Sequence, residues 1–228
     1  QLNLSLKMVL ETHVHADHIT GAGLLQKETG CEVGSSKESS ACCGSFIFSD
    51  QEVLALGNTS IQCLFTPGHT DDSYCFYIEN PGWLFTGDTL FIRGTGRTDF
   101  QNGSPESMFD TLQKIKSLPD NTEVFPAHDY NGKRSSNVRK EKEANPFMRE
   151  TDKDLFVQNA WLSGQNLKYL DLIEIYHCFL ADVLIVEVII QKGYNMSEKT
   201  VTISEKEYIS LKRSALWKSA MQCAGVDN

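Results

Sequence analysis

The chain has 228 residues, 40% of them apolar and 22% charged, with a formal net charge of -9. This length and composition fit one globular α/β domain with a sizeable core, alone or with a small appendage, and exclude a disordered chain. The acidic balance, with no basic stripe to offset it, excludes a general nucleic-acid binder.

An apolar strand is read from Leu4 to Leu10 (LSLKMVL), running straight into the cluster THVHADHITG. A helix follows from Ile19 to Thr29, starting near Asp17 and stopping at Gly30. Gly34 to Gly44 (GSSKESSACCG) reads as a loop by composition. Short strands are expected over Phe46 to Phe48, Gln51 to Leu56 and Ser60 to Phe65, the last ending at TPGHT. Ser73 to Ile78 and Gly82 to Phe85 form a hairpin across the ENPG turn, and its second strand ends at TGD. Pro105 to Leu118 is helical, with Ser104 and Glu106 as start signals. Glu123 to Phe125 is a strand ending at PAHDY, and a helix from Ser136 to Ala144 stops before Pro146. The most basic stretch, Lys133 to Lys142 (KRSSNVRKEK), reads as a solvated helix face. Beyond it, Leu170 to Ile190 carries Asp171, Glu174, His177, Asp182 and Glu187, too many polar groups for a membrane span, and reads as core. Val183 to Ile190 and Thr200 to Ile203 read as a hairpin, followed by a helix from Ser204 to Ala224.

Seven cysteines, odd in number and with no C-x-x-C pair, point to reduced thiols in an intracellular compartment rather than a disulfide framework. No signal peptide is read at the start, although the chain opens on Gln1 rather than Met.

Metal-binding residue types fall in a pattern. His13, His69, Asp88 and His128 each lie just beyond an apolar strand, and in α/β folds such loops converge on one crevice. Five of the six histidines lie in these four loops. In H-x-H-x-D-H the first two histidines point the same way along extended chain, and Asp17 and His18 then turn into the helix. Imidazole plus carboxylate without cysteine suits zinc, iron or manganese. The set His13, His15, His69, Asp88, Asp17, His18 and His128 admits two metals bridged by Asp88. It equally admits one metal with the other groups in support.

THVHADH, TPGHT, TGD and PAHDY, in this order, resemble the metallo-β-lactamase superfamily, whose fold is an αββα sandwich of the α/β class. Within it, HADHITGAGLL, TGDTLFIRGTGRTDFQNG and FPAHDYNG resemble the persulfide dioxygenases, also called sulfur dioxygenases. The resemblance covers residues 4 to 157. It implies a metallo-β-lactamase-like domain over residues 1–157 that lacks the family's first strands, and an unassigned C-terminal extension over residues 158–228. The family implies one iron(II) per chain, held by His13, His69 and Asp88, with His15, Asp17, His18 and His128 as the surrounding groups that orient ligands and water. The implied reaction oxidises glutathione persulfide with oxygen and water to sulfite and glutathione, in sulfide catabolism. Tyr130 is then a contact to the glutathione moiety or a packed aromatic, and Arg97, a candidate substrate contact, forms with Asp99 of GRTDF a structural or site-shaping pair. The implied partners are a small-molecule thiol persulfide and oxygen, with a homodimer left open, and the implied compartment is the mitochondrion.

Two alternatives stand beside this one. A glyoxalase II-like thioester hydrolase would use two metals, zinc among them, joined by Asp88, and all its ligand positions are present. NPFMR resembles that family more closely, because Phe147 stands where the dioxygenases carry an arginine for the carboxylates of glutathione; Arg149 is the nearest substitute. The other alternative is an inactive or incomplete binding module. The absent first strands count for it, and intact His13, His69 and Asp88 count against it.

Overall fold

The computed structural model describes residues 6–15, 20–40, 44–128 and 132–167, with side chains up to residue 160. Asp17, His18, Tyr130, four of the seven cysteines (Cys42, Cys43, Cys178 and Cys223), and the hairpin and helix expected after Val183 lie outside the described residues.

Among the described residues the strands form two sheets. The first is parallel throughout, in the order β1 (Met8–Leu10), β2 (Glu32–Ser36), β3 (Phe46–Phe48), with helix α1 (Ala22–Thr29) joining its first two strands. The second runs β4 (Val53–Leu56), β5 (Thr59–Phe65), β6 (Tyr74–Ile78), β7 (Trp83–Gly87), β8 (Glu123–Pro126), β9 (Ser136–Asn137). Its neighbours are antiparallel except β7 and β8, whose parallel pairing requires the crossover through helix α2 (Pro105–Lys116). Helices α3 (Val138–Ala144), α4 (Pro146–Arg149) and α5 (Lys153–Leu167) complete the described chain. Helix α5 continues through residue 157, where the sequence resemblance ends.

Side-chain alternation builds the layers. Strand β6 is buried along its whole length. Its Tyr74, Phe76 and Ile78 point between the sheets and pack with Leu10 and Phe48 of the first sheet and Ile61 and Cys63 of β5. Its Cys75 and Tyr77 point the other way, onto Met108, Leu112 and Ile115 of α2. Those α2 positions fall at helical spacing on one face. The helix is fixed at its start by the Ser104 hydroxyl accepting from the Ser107 amide at 3.1 Å, with Pro105 in the first turn. On the far side of the first sheet, Ala22 of α1 meets Val9, Cys31 and Val33. The order of layers is therefore helix, sheet, sheet, helices. Each fully buried aliphatic side chain in these layers contributes about 1.5–3 kcal/mol of transfer free energy.

Four elements differ from the sequence expectation. Residues Gly34 to Ser36, read as loop, belong to central strand β2. Gly and Ser have poor strand propensity, but a Cβ at Gly34 would lie 2.6 Å from the Phe46 ring and 2.7 Å from Leu10, so neighbours on both sides fill the space and favour the small residue. Strand β1 starts at Met8, leaving Leu6 and Lys7 outside it. Helix α1 starts at Ala22 rather than near Asp17, and the Thr20 hydroxyl ahead of it is bound to the Glu11 carboxylate. The stretch Lys133 to Lys142 is not a uniformly solvated face: Ser136, Val138 and Glu141 are buried, and Ser136–Asn137 forms β9 before the helix begins. The helix stop at Gly30 holds, with φ of 71° and an amide bond back to Gln26.

Candidate metal centre

Each predicted ligand follows a strand end, and the four loops meet at one end of the sandwich. His13 follows β1 of the first sheet, whereas His69, Asp88 and His128 follow β5, β7 and β8 of the second. The ligand atoms of His13, His69 and Asp88 all lie within 4.8 Å of one another. The rings of His13 and His15 are 4.1 Å apart, and those of His13 and His69 are 5.0 Å apart and edge-on. His128 Nδ1 lies 3.3 Å from Asp88 Oδ1, and the Phe91 ring packs edge-on against His128 at 5.6 Å.

The hydrogen bonds fix which atoms face the centre. His69 Nδ1 donates to the Arg97 carbonyl at 2.8 Å. A carbonyl only accepts, so Nδ1 carries the proton and Nε2 presents its lone pair, 3.6 Å from Asp88 Oδ2. His13 Nδ1 bonds the Thr12 hydroxyl at 3.0 Å, which leaves Nε2 to the interior of the cluster.

Glycine lets the loops come this close. A Cβ at Gly96 would sit 2.2 Å from the Asp88 carbonyl and 2.8 Å from His69 Nδ1. Gly87, at a φ of 48°, immediately precedes Asp88, and a Cβ there would strike Thr12 at 2.6 Å. A donor set of two imidazoles and one carboxylate in such a cradle fits a divalent iron, zinc or manganese ion.

Of the remaining predicted residues, His15 stands beside His13 and His128 beside Asp88. The Arg97 guanidinium is held by Asp99 through bonds of 2.8 and 3.1 Å and lies 5.7 Å from the exposed Phe100 ring, while its carbonyl serves His69. Phe147 packs on Phe156 at 5.8 Å and joins the α2 core, and Arg149 is exposed.

The sequence reading passed over Asp72. Its carboxylate accepts from the Val14 amide at 3.1 Å and the Thr70 hydroxyl at 2.7 Å, anchoring the His13–His15 segment to the His69 loop. Burial pushes the Asp72 carboxyl above its usual range, while the hydrogen bonds from Thr70 and Val14 pull it back. Burial likewise raises Glu11, opposed by the Thr20 hydroxyl, with the Asp72 charge adding to the rise. The signal was present in the sequence: GHTDDS sets two carboxylates within three residues of a candidate ligand histidine. Gln101 was also missed; its side chain donates to the Val14 carbonyl from across the site.

A family model described as the metallo-beta-lactamase superfamily matches residues 46–128. The mitochondrial persulfide dioxygenase ETHE1 of Bos taurus is 40% identical over 148 residues, 64% of this chain and 58% of that protein. A hydroxyacylglutathione hydrolase of Prochlorococcus marinus is 42% identical over 135 residues, 56% of this chain and 53% of that protein. The chain thus spans little more than half the length of these curated relatives. The crystal structure of ETHE1 from Myxococcus xanthus superposes with a TM-score of 0.66 at 36% identity, covering 80% of this chain and 76% of that one. Layers, motif-bearing loops and relatives agree: the chain belongs to the metallo-beta-lactamase superfamily.

Proposed function

We propose that the protein is a persulfide dioxygenase with a single iron(II), acting on glutathione persulfide in the mitochondrion. The observation that carries this reading is the grouping of two imidazoles and one carboxylate, His13, His69 and Asp88, with ligand atoms within 4.8 Å of one another. Such a set leaves positions open for two further ligands and is the signature of non-haem iron oxygenases. Similarity to the persulfide dioxygenase relatives supports it.

On this reading His13 Nε2, His69 Nε2 and the Asp88 carboxylate hold the metal. Iron supplies the redox chemistry by which oxygen and the persulfide sulfur react; glutathione persulfide, oxygen and water become glutathione, sulfite and two protons. The residues do the rest. The Arg97 carbonyl keeps the His69 proton on Nδ1, and the Thr12 hydroxyl engages His13 Nδ1. His128 holds one oxygen of Asp88, which leaves the other turned toward His69. Tyr130 and the Arg97 loop are the groups proposed to meet the thiol carrier. Substituting His69→Ala abolishes iron retention and oxygen uptake together; retained activity would refute the assignment.

A second reading, thioester hydrolysis with two metals, is supported by the hydroxyacylglutathione hydrolase relative and by Phe147 in place of an arginine. Elemental analysis of the purified chain separates the two. About one iron with little zinc supports the dioxygenase, and close to two metals per chain supports the hydrolase.

A further inference from the structure

Glu141 of α3 is completely buried, yet it belongs to no ligand set. Its carboxylate collects donors from three directions. The Arg93 guanidinium donates at 2.6 Å and the Arg93 amide at 2.8 Å, the Asn145 side chain donates at 3.1 Å, and the Ser136 hydroxyl completes the set. Asn145, which caps α4 by accepting from the Phe147 and Met148 amides, also donates to the carbonyls of Phe91 at 3.4 Å and Gly94 at 3.0 Å. Glu141 of α3 and Asn145, between α3 and α4, therefore grip one tight turn, Phe91–Gly94, which closes on itself through Phe91 amide to Gly94 carbonyl at 3.0 Å. Arg93 sits in that turn at a φ of 69°, a left-handed conformation that disfavours a residue with a Cβ. Its main-chain and side-chain bonds to Glu141 hold it there.

The turn is the outer tip of the loop that starts at Asp88 and ends at Arg97. At the base of the loop the Gly96 amide donates to the Asp88 carbonyl at 2.9 Å, so the two ends are fastened together. One end supplies the Asp88 carboxylate and the other the Arg97 carbonyl that orients His69. The tip supplies Phe91, whose ring backs His128, and His128 in turn contacts Asp88. Two of the three candidate ligands are thus set by one loop, and that loop is clamped from behind by Glu141 and Asn145.

We propose that Glu141 and Asn145 are positioning residues for the metal centre, acting through the Phe91–Gly94 turn on Asp88 and His69. This rests on the reading of His13, His69 and Asp88 as a metal site. The test is cobalt(II) affinity of the full chain, followed by visible absorption in competition with a chelator, alongside urea unfolding of the metal-free protein. Glu141→Gln weakens cobalt binding by about ten- to a hundred-fold, the range seen when groups behind metal ligands are altered. Ser136→Ala removes one hydrogen bond to Glu141 Oε1 and keeps the Arg93 and Asn145 bonds that reach the turn; it lowers stability and leaves cobalt affinity within about two-fold of wild type. Asn145→Ser keeps a helix cap but is too short to reach the Phe91 and Gly94 carbonyls. It weakens cobalt binding in the same direction, and it decides the matter if Glu141→Gln does not fold. The inference is overturned if Glu141→Gln or Asn145→Ser loses stability with unchanged cobalt affinity, or if affinity falls with stability equally in Ser136→Ala. Wild-type protein that takes up no cobalt would instead overturn the reading of the site as a metal centre, and this inference with it.

Discussion

Substituting Gly96→Ala tests the packing of the centre most sharply. The new Cβ would lie 2.2 Å from the Asp88 carbonyl oxygen, more than an ångström short of ordinary contact at 3.4 Å, and 2.8 Å from His69 Nδ1. The first obstacle is backbone and the second a candidate ligand ring, so neither yields cheaply. Overpacking of this kind costs about 1–3 kcal/mol. For a chain of this size that corresponds to a fall of roughly 3–10 °C in the midpoint of thermal unfolding. The movement also disturbs the amide bond from Gly96 to Asp88 and the bond from His69 to Arg97, so metal affinity falls by about ten-fold or more. The control is the same chemical change at Gly23, in α1, where a Cβ would meet nothing within 4 Å. There the gain in helix propensity stabilises by about 0.4–1 kcal/mol. Thermal unfolding in chelator and cobalt titration of both variants provide the readouts. A Gly96→Ala protein with wild-type midpoint and wild-type metal affinity would refute the geometry argued for the loop.

Two further outcomes follow from the core. Burial pushes the Cys63 thiol up to about 12 and the Cys75 thiol up to about 11. Folding therefore retains protons that the unfolded thiols release: this stabilisation is whole below the unfolded thiol value of about 8.5 and declines as pH rises toward 11–12. Urea unfolding at pH 7.5 and 9.5 should show the decrease, and Cys63→Ser with Cys75→Ser should flatten it; an unchanged slope would count against the burial argument. Phe147→Ala should cost less than the ~3–5 kcal/mol of a fully buried Phe→Ala, because its ring is only partly buried against Phe156. If this variant leaves stability unchanged, Phe147 is not the packing residue described.

The loops that carry the candidate ligands were legible because each follows an apolar strand: LSLKMVL, SIQCLF, GWLF and EVF all run into a histidine or an aspartate. Strand β2 was not legible, because Glu32–Ser36 (EVGSS) carries little strand propensity and takes its conformation from the neighbours that close on Gly34. Glu141 was hidden for a related reason. In KRSSNVRKEK and the residues around it, charge suggests water, and the cation that offsets the buried carboxylate, Arg93, lies far away in sequence. Asp72 lay in plain view in GHTDDS, but its role depends on reaching Val14, a contact between sheets that no local pattern encodes.

The site draws on both sheets: His13 comes from the first, and His69 and Asp88 come from the second. The Tyr74 amide bonds the Thr12 carbonyl at 2.7 Å, and Asp72 bonds the Val14 amide, so the protein already seams the sheets beside the centre. An ion shared among these three side chains adds its binding free energy only to chains in which both sheets have come together. During synthesis His13 emerges long before Asp88, and no partial product that ends before residue 88 carries the complete set. On the proposed reading, occupancy of the centre would therefore report on assembly: a metal-loaded molecule would be one whose sandwich has closed.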